Sequence, residues 1–124
     1  MVAGGTGITP MYQIIKHILR DPQDSTQLSL LFANVSPQDI LLKDELDNLA
    51  RTHSEQLYVH YVVDAPEDGW AGSTGYVTPE LLQEHCPAPG LDVMLLLCGP
   101  RPMTKSLECS AASLGFAKSQ VHTF

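Results

Sequence analysis

The chain has 124 residues, a formal net charge of −7 and an apolar content of 44%. That length suits one domain with a sizeable core, while 14 acidic against 7 basic side chains, with no cluster of Lys or Arg, argue against nucleic-acid binding and against a role at a membrane surface. No apolar run approaches the roughly 20 residues that a membrane span requires, and the three cysteines, Cys86, Cys98 and Cys109, lack metal-ligand spacing, which favours a reduced intracellular setting.

The first stretch with a clear structural signature is the glycine-rich run Ala3–Met11, AGGTGITPM. Glycines adopt positive φ and leave no side chain between the main chain and a ligand. Thr9 is a favourable N-cap and Pro10 suits the first helical position, so the run predicts a turn into a helix that starts at Pro10. Free N–H groups and the helix dipole make such a start suitable for an anion, and a phosphate is the obvious candidate.

Two common phosphate motifs do not fit this run. The dinucleotide fingerprint G-x-G-x-x-G requires a third glycine where Pro10 stands, and a P-loop requires a Lys after its second glycine. A turn that uses its glycines only for strand-to-helix geometry remains the alternative to phosphate binding.

Apolar periodicity predicts the first helix and the strand after it. Between Pro10 and Arg20, apolar residues recur at the i, i+3, i+4, i+7 spacing of an amphipathic helix, and Asp21–Pro22 ends it. The nearly unbroken apolar run Leu28–Ala33 predicts a strand that is covered on both faces. Such strands are typical of parallel sheets.

A second helix is predicted at Asp39–Thr52, after a loop at Asn34–Gln38, and Asp39 is expected to be its N-cap. The β-branched and aromatic run Leu57–Val63 predicts a third strand. The loop Asp64–Ser73 that follows is long for a compact domain, and loops of that length are often functional.

The rest of the chain continues the alternation of helices and strands. Its predicted elements are a helix at Thr78–Cys86, a strand at Val93–Cys98, a helix at Met103–Leu114 and a short strand or tail at Val121–Phe124. Thr78 and Pro79 repeat the Thr-Pro pair of the first helix, and Gly115 suits a C-terminal cap.

Alternating apolar strands and helices with short links predict an α/β fold, with a parallel sheet of about five strands and helices on both faces. In such sheets ligands bind outside the carboxyl ends of the strands, where the strand order reverses. The glycine run, the loop at Asp64 and the segment Cys98–Pro100 all follow strands, so we expect them to line one cleft. Only Met1–Ala3 are left to form the strand before Gly4, so we also expect the chain to be part of a longer protein, cut inside its first strand.

Two motifs taken together resemble a known family. The run Ala3–Met11 and the segment Cys98–Met103, CGPRPM, are similar to motifs in the nucleotide-binding domain of the ferredoxin reductase-like flavoenzymes. Within that superfamily they resemble the NADH-cytochrome b5 reductase family and the similar reductase segment of eukaryotic nitrate reductase. Phe32–Asn34 and Asp39–Leu42 match as well, and the resemblance covers essentially the whole chain. Arg101 stands where the family usually has proline, and the flavin-binding barrel that precedes this domain in the family has no counterpart here.

The resemblance implies a nicotinamide site that faces a flavin held by another domain. The residues that match the turn under the pyrophosphate and nicotinamide, with the helix start that follows, are Gly4, Gly5, Thr6, Gly7, Thr9 and Pro10. Cys98, Gly99 and Pro100 match the segment against the nicotinamide ring, and Met103 covers the same pocket. Phe124 matches a residue that lies near the flavin in this family.

Cys98 is the residue that we expect to act in catalysis. Hydride transfer to a flavin requires no protein acid or base, but it does require two rings held in contact, so positioning is the contribution of the protein. A small polarisable thiol touches a nicotinamide edge without blocking it. No neighbouring base in the sequence would activate Cys98 as a nucleophile. A structural cysteine buried at a strand end remains the alternative.

The expected cofactors are NADH and FAD, with FAD held mainly by the other domain. NADP sites usually present Arg or Lys to the extra phosphate after the second strand, and Asn34–Gln38 carries no cation. Asp64 matches the family position associated with a preference for NADH, where a carboxylate would repel a 2′-phosphate; an ordinary strand-end turn residue is the alternative. No metal site is expected, because the five histidines share no ligand spacing.

The function implied by the resemblance is the NADH-binding half of an oxidoreductase that passes a hydride from NADH to FAD and then electrons to a haem protein such as cytochrome b5. The expected partners are that acceptor and an FAD-binding domain in cis. One alternative is a truncated, non-catalytic nucleotide-binding fragment or isoform. The others are the reductase segment of a nitrate reductase and an anion-binding scaffold that has no redox function. We expect a cytoplasmic location, either free or on the cytosolic face of a membrane through an anchor outside this segment.

Overall fold

A parallel sheet of six strands lies at the centre of the fold in the computed structural model, which describes residues 1–124. The strands are β1 (Val2–Gly4), β2 (Leu28–Asn34), β3 (Leu57–Val63), β4 (Ser73–Thr74), β5 (Leu95–Cys98) and β6 (Val121–Thr123). Their order across the sheet is β4-β3-β2-β1-β5-β6, and all neighbouring strands are parallel. The predicted α/β class is confirmed. The sixth strand is β4, which forms at the end of the region predicted to be a loop.

Helices cover both faces of the sheet, as the apolar strands predict. They are α1 (Ile8–Arg20), α2 (Lys43–Thr52), α3 (Pro79–His85) and α4 (Arg101–Leu114). Met11 of α1 and Leu46 of α2 are buried in a core on one face, and Leu82 of α3 and Leu107 of α4 are buried in a core on the other. None of the helices has the length and apolar character needed to cross a membrane.

The predicted start of the first helix is wrong by two residues. α1 begins at Ile8, and its N-cap is Gly7. Thr9 is therefore not the N-cap, and its hydroxyl donates to the carbonyl oxygen of Thr6 at 3.0 Å. The reason is a 3-10 turn over Gly5–Gly7, whose carbonyls accept the N–H of Ile8 and so begin the helical winding before Thr9 is reached.

The prediction that Asp39 caps the second helix is also wrong. Asp39 ends a 3-10 turn that begins at Pro37, and its carboxylate accepts a hydrogen bond from the Ser36 hydroxyl at 2.7 Å. α2 begins later, at Lys43, after Leu42 has turned the chain with a φ of 58°. Leu42 is the only residue other than glycine with a positive φ, and nothing about a leucine in a sequence indicates that conformation.

β5 begins at Leu95 rather than at Val93, and α4 begins at Arg101 rather than at Met103, whereas other predicted boundaries are confirmed. The side chain of Thr78 accepts the N–H of Leu81 at 3.2 Å and so caps α3. Gly115, with a φ of 103°, ends α4. The segment at Val121–Thr123 is a strand rather than a tail.

A cavity of about 550 Å³ lies at the amino ends of the strands, between β2 and β5. Apolar residues such as Ile18, Leu28, Val93 and Met94 contribute to its lining. It therefore lies at the end of the sheet opposite to the one where the sequence places the candidate site.

Candidate functional site

The strand order reverses at β1, which lies between β2 and β5. From β1 the chain builds β2, β3 and β4 on one side, and it then crosses back to place β5 on the other. Parallel α/β sheets bind ligands in the crevice outside the carboxyl ends of the strands at such a reversal. Those ends carry Gly4 and Cys98, so the two motifs singled out in the sequence meet there.

The glycine turn between β1 and α1 brings main-chain N–H groups to this crevice. Gly4 is buried at the end of β1, and Gly5 has a φ of 55°, which residues with a side chain rarely adopt. The 3-10 turn at Gly5–Gly7 leads directly into Ile8 and α1. The N–H of Ile8 is already bonded to the carbonyls of Gly5 and Thr6, so it is the positive end of the α1 dipole that favours an anion at this turn.

Close backbone contact joins the glycine turn to the segment after β5. A Cβ atom on Gly7 would overlap the carbonyl oxygen of Cys98, and a Cβ atom on Gly4 would stand 2.6 Å from Sδ of Met103. A Cβ atom on Gly99 would stand 3.2 Å from the backbone nitrogen of Gly4. At Gly7 packing alone thus requires glycine, which is the geometric alternative given above for the first motif, whereas the contacts at Gly4 and Gly99 are tight but less restrictive.

Gly5 differs from the other glycines of the site, because a Cβ atom there would meet nothing within 4 Å. Its missing side chain leaves open space on the outer side of the turn, where a ligand could approach the main chain. Thr6 and Thr9 are exposed on the same turn, and Pro10 is half-buried in the first turn of α1. The open part of the motif is therefore its outer surface at Gly5, Thr6 and Thr9.

The segment after β5 presents groups from both faces of the sheet. Cys98 has a free, half-buried thiol and packs on the core beneath α1 and α2. Met103, in the first turn of α4, packs against the opposite core, and Pro100 is exposed between the two. Arg101, the first residue of α4, is exposed and forms no ion pair, so its charge is available at this edge.

Asp64 and Phe124 lie at opposite ends of the same carboxyl edge. Asp64 is exposed after β3, and its N–H donates to the carbonyl oxygen of Asn34 at 3.2 Å. The N–H of Phe124 donates to the carbonyl oxygen of Leu97 at 2.9 Å, and its ring meets His122 edge to face. Because strands lie about 4.8 Å apart, Asp64 stands about 10 Å from the end of β1, and the whole edge spans about 20 Å. The predicted site residues therefore form a row rather than one compact cluster.

A family model described as an oxidoreductase NAD-binding domain matches residues 1–108. The chain belongs to this family. The switch in strand order, the glycine turn and the Cys98 segment are thus parts of an NAD-binding domain, and the resemblance read from two short motifs is confirmed.

The chain is also similar to parts of several reductases. The chain is 51% identical over 120 residues to NADH-cytochrome b5 reductase 1 of Candida albicans, a match that covers 97% of this chain and 41% of that protein. The cytochrome b5 reductase domain of Ulva prolifera nitrate reductase superposes with a TM-score of 0.97 at 40% identity, over 100% of this chain and 47% of that chain. The CS-b5R domains of human Ncb5or, in the NAD+ form, superpose with a TM-score of 0.88 at 33% identity, over 99% of this chain and 35% of that chain. The chain thus spans less than half the length of these relatives.

Asn34 is the residue of this NAD-binding domain that the sequence analysis missed. Its Nδ2 is the one buried side-chain polar atom without a hydrogen-bond partner, and it lies at the carboxyl end of β2. Alternation along β2 places its side chain on the same face as Phe32, the face that α1 covers. This donor is therefore available to a ligand at the carboxyl end of β2. The sequence signal that could have indicated this residue is its position, since Asn34 is a polar residue directly after the apolar run Leu28–Ala33.

Proposed function

We propose that the chain binds NADH along the carboxyl edge of the sheet and positions it for hydride transfer to FAD held by a second domain. The observation that carries this proposal is the contact between the glycine turn and the Cys98 segment at the reversal of strand order. When bound, NADH supplies the hydride and FAD accepts it. The residues of this chain bind, orient and shield the rings, which is the protein's share of such a reaction.

The glycine turn fits the pyrophosphate of the dinucleotide. The residues proposed to hold it are Gly4, Gly5, Thr6, Gly7, Thr9 and Pro10. Gly5 has open space on its outer side, and the start of α1 adds the positive end of a helix dipole. With a net charge of −7, the chain holds the phosphates through main-chain donors rather than through a basic surface.

The segment after β5 fits the nicotinamide end. Cys98, Gly99 and Pro100 would lie against the ring, and Met103 would close the pocket from the side of α4. Phe124 is exposed after β6, one strand further along, and we propose that it faces the flavin domain. Cys98 acts here by position, since its half-buried thiol touches a ring without abstracting a proton.

The adenosine end is assigned to the ends of β2 and β3. The buried amide of Asn34 supports this, because χ2 of asparagine rotates easily and would turn the NH2 group towards an oxygen of the nucleotide. Asp64 is exposed beside it and would repel the 2′-phosphate of NADPH. NADH is therefore the proposed cofactor rather than NADPH.

For the whole protein, we propose a longer flavoprotein in which this chain is the NADH-binding domain and an FAD-binding domain is joined in cis. Cytochrome b5 or another haem protein is the proposed electron acceptor, since the similar proteins include NADH-cytochrome b5 reductases. A cytoplasmic location is proposed with it. The reductase segment of a nitrate reductase is the second candidate, supported by the TM-score of 0.97 to that domain of the Ulva enzyme. A fragment that binds the nucleotide without turning it over is the third.

The binding proposal is tested by titrating the chain with NADH, NADPH and ADP-ribose and measuring the dissociation constants by calorimetry. Gly5→Asp and Gly5→Asn form a matched pair, because both side chains tolerate positive φ and differ mainly in charge. A carboxylate at the phosphate position should weaken NADH binding by at least about tenfold more than the amide does. Equal affinities of the two variants, or no binding of ADP-ribose at millimolar concentration, would contradict the proposal.

The redox proposal requires the longer form of the protein. Its visible spectrum should show oxidised flavin that bleaches when NADH is added. A longer form without flavin would support the non-catalytic alternative. The other domains of the longer form would then distinguish a cytochrome b5 reductase from a nitrate reductase.

A further inference from the structure

Two histidine rings are stacked face to face between the sheet and α3. The ring centroids of His60, in β3, and His85, the last residue of α3, lie 3.7 Å apart with an interplanar angle of 10°. Tyr58 extends the stack, and its hydroxyl lies 2.8 Å from Nδ1 of His85. The pair therefore ties the end of α3 to the sheet through aromatic contact rather than through aliphatic packing.

The other edge of the stack is joined to β4 and to the loop that carries Asp64. Nε2 of His60 lies 2.7 Å from Oγ of Ser73, the first residue of β4. The carbonyl oxygen of Ser73 accepts the indole N–H of Trp70 at 3.0 Å. His60 thus holds the far end of the Asp64–Gly72 loop, while hydrogen bonds to β2 and the segment after it hold the near end.

Charge on this stack depends on a small set of neighbours. Glu84 of α3 is the nearby carboxylate, with Oε2 3.8 Å from Nε2 of His85. Tyr58 of β3 and Cys86, just after α3, are the other titratable groups beside the stack, and β4 contributes only the uncharged Ser73. Burial lowers the pKa of His60, the charge of His85 lowers it further, and Glu84 acts in the opposite direction. Burial also raises the pKa of the Cys86 thiol, so that this group stays uncharged beside the rings.

We propose that His60 and His85 form a proton-sensitive clasp that positions the Asp64–Gly72 loop. With both rings neutral the stack closes and fixes the Ser73 hydroxyl; protonation of both places like charges at stacking distance, so the rings separate and Ser73 loses this side-chain contact, while its main-chain pairing with β3 remains. The effect on NADH preference rests on the function proposed above, whereas the opening of the clasp does not. His60 is thus a positioning residue for the far end of the loop that carries Asp64, acting through Ser73 and Trp70.

The direction of the pH dependence follows from the lowered pKa of His60. A base whose pKa is lower in the folded chain than in the unfolded chain stabilises the fold above the unfolded value of about 6.5. That stabilisation is lost as the pH falls through the folded value. The clasp is accordingly closed at neutral pH and opens on acidification.

Trp70 is the single tryptophan of the chain, so its fluorescence reports on the loop directly. The emission of the wild-type chain is followed from about pH 7.5 to about pH 5, across the ordinary titration range of histidine. We expect a reversible transition in the wild type, its loss in His60→Phe, which keeps a flat ring but no proton site, and its retention in His17→Gln, which removes an exposed histidine on α1. An unchanged transition in His60→Phe would overturn the clasp.

The wild-type chain offers a second measurement if His60→Phe fails to fold. NMR titration of the histidine ring protons should show His60 titrating below the ordinary range of histidine, with broadening of the Trp70 indole signal over the same pH range. Five independent titrations with no response from Trp70 would overturn the proposal.

Binding separates the clasp from the proposed function. Acidification over the same range should narrow the ratio of NADPH to NADH dissociation constants by about fivefold, the low end of ordinary coupling between sites, in the wild type but not in His60→Phe. If neither nucleotide binds while the Trp70 transition persists, the function fails and the clasp stands. If both bind with the same ratio at all pH values, the link between the clasp and Asp64 is refuted.

Discussion

Gly7 lies against the carbonyl group of Cys98 so closely that even a methyl group on Gly7 would overlap the carbonyl oxygen. Both partners are main chain, so neither has a side chain that can turn away. The contact fixes the start of α1 relative to the end of β5, and it is the structural basis of the crevice between them.

We expect Gly7→Ala to lower the free energy of unfolding by about 3 kcal/mol, the upper range for overpacking of a fixed site. Gly4→Ala is the matched control, because its added methyl group meets the flexible end of Met103, and it should cost about 1 kcal/mol. Urea unfolding of the two variants measures the difference. Equal losses would show that the backbone contact at Gly7 is able to relax.

Thr78 and Thr9 should respond differently to alanine, although both precede a proline. Thr78→Ala removes an N-cap hydrogen bond to Leu81 and should cost about 1 kcal/mol of unfolding free energy. Thr9→Ala removes only an exposed bond to Thr6 inside the first turn, so the change should stay below about 0.5 kcal/mol. Thermal unfolding compares the stabilities of the two variants. A larger loss of unfolding free energy in Thr9→Ala would show that Thr9 does act as a helix cap.

Tyr61 should make stability fall at alkaline pH. Its hydroxyl donates to Oδ1 of Asp47 at 2.5 Å, and burial first, then Asp47, hold the pKa of Tyr61 far above its usual range. An acid with a raised folded pKa stabilises the fold below its unfolded pKa of about 10, and that stabilisation is lost as the pH rises above it.

Tyr61→Phe should therefore cost about 1–2 kcal/mol near neutral pH and flatten the alkaline decline. Tyr76→Phe, at a residue that is 86% exposed, is the control that should retain the decline. Denaturant unfolding between about pH 7 and pH 11 measures the unfolding free energy of both variants. If this free energy falls with pH in Tyr61→Phe as steeply as in the wild type, Tyr61 is not the cause of the alkaline decline.

Cys98→Ser in the flavin-containing form should leave NADH affinity nearly unchanged and slow flavin reduction by about tenfold, because a small displacement of a reacting ring is costly. Stopped-flow bleaching of the flavin gives the rate. A normal rate combined with a lower unfolding free energy would instead identify Cys98 as a structural cysteine.

Asp64→Ser should reduce the preference for NADH over NADPH by about tenfold through loss of one repulsive charge. Asp68→Ser, which removes an exposed carboxylate from the same loop, should change the preference less. The ratio of kcat/KM for NADH to kcat/KM for NADPH, measured in the flavin-containing form of each variant, gives this preference. Equal effects of the two substitutions would mean that net loop charge sets the preference.

The meeting of the glycine turn with the Cys98 segment could be predicted, because both follow apolar strands and parallel strands present their carboxyl ends at one edge. The strand β4 could not, since two residues without an apolar pattern pair with β3 only through the tertiary fold. Leu42 shows the same limit at the level of the backbone, where its positive φ follows from the corner before α2 and not from its residue type.

The candidate site shows a similar division. The family resemblance was enough to single out Asp64, which lies directly after β3. The lone amide of Asn34 and the stacking of His60 on His85 depend on which atoms surround them, and those neighbours come from distant parts of the sequence. Asp39 was misassigned because Ser36 competes for its carboxylate, a local choice that either residue type permits.

The pairing of β1 with β5 has a consequence for the order of folding. Val2 pairs with Leu97, 95 positions further along the chain, whereas the other strand pairs join residues no more than 29 positions apart. Closure of the longest loop carries the largest entropic cost, so the β1–β4 half should assemble before β5, β6 and α4 dock on it. The crevice is then completed in the last step, and a dinucleotide that touches both strands should slow unfolding while leaving the folding rate almost unchanged.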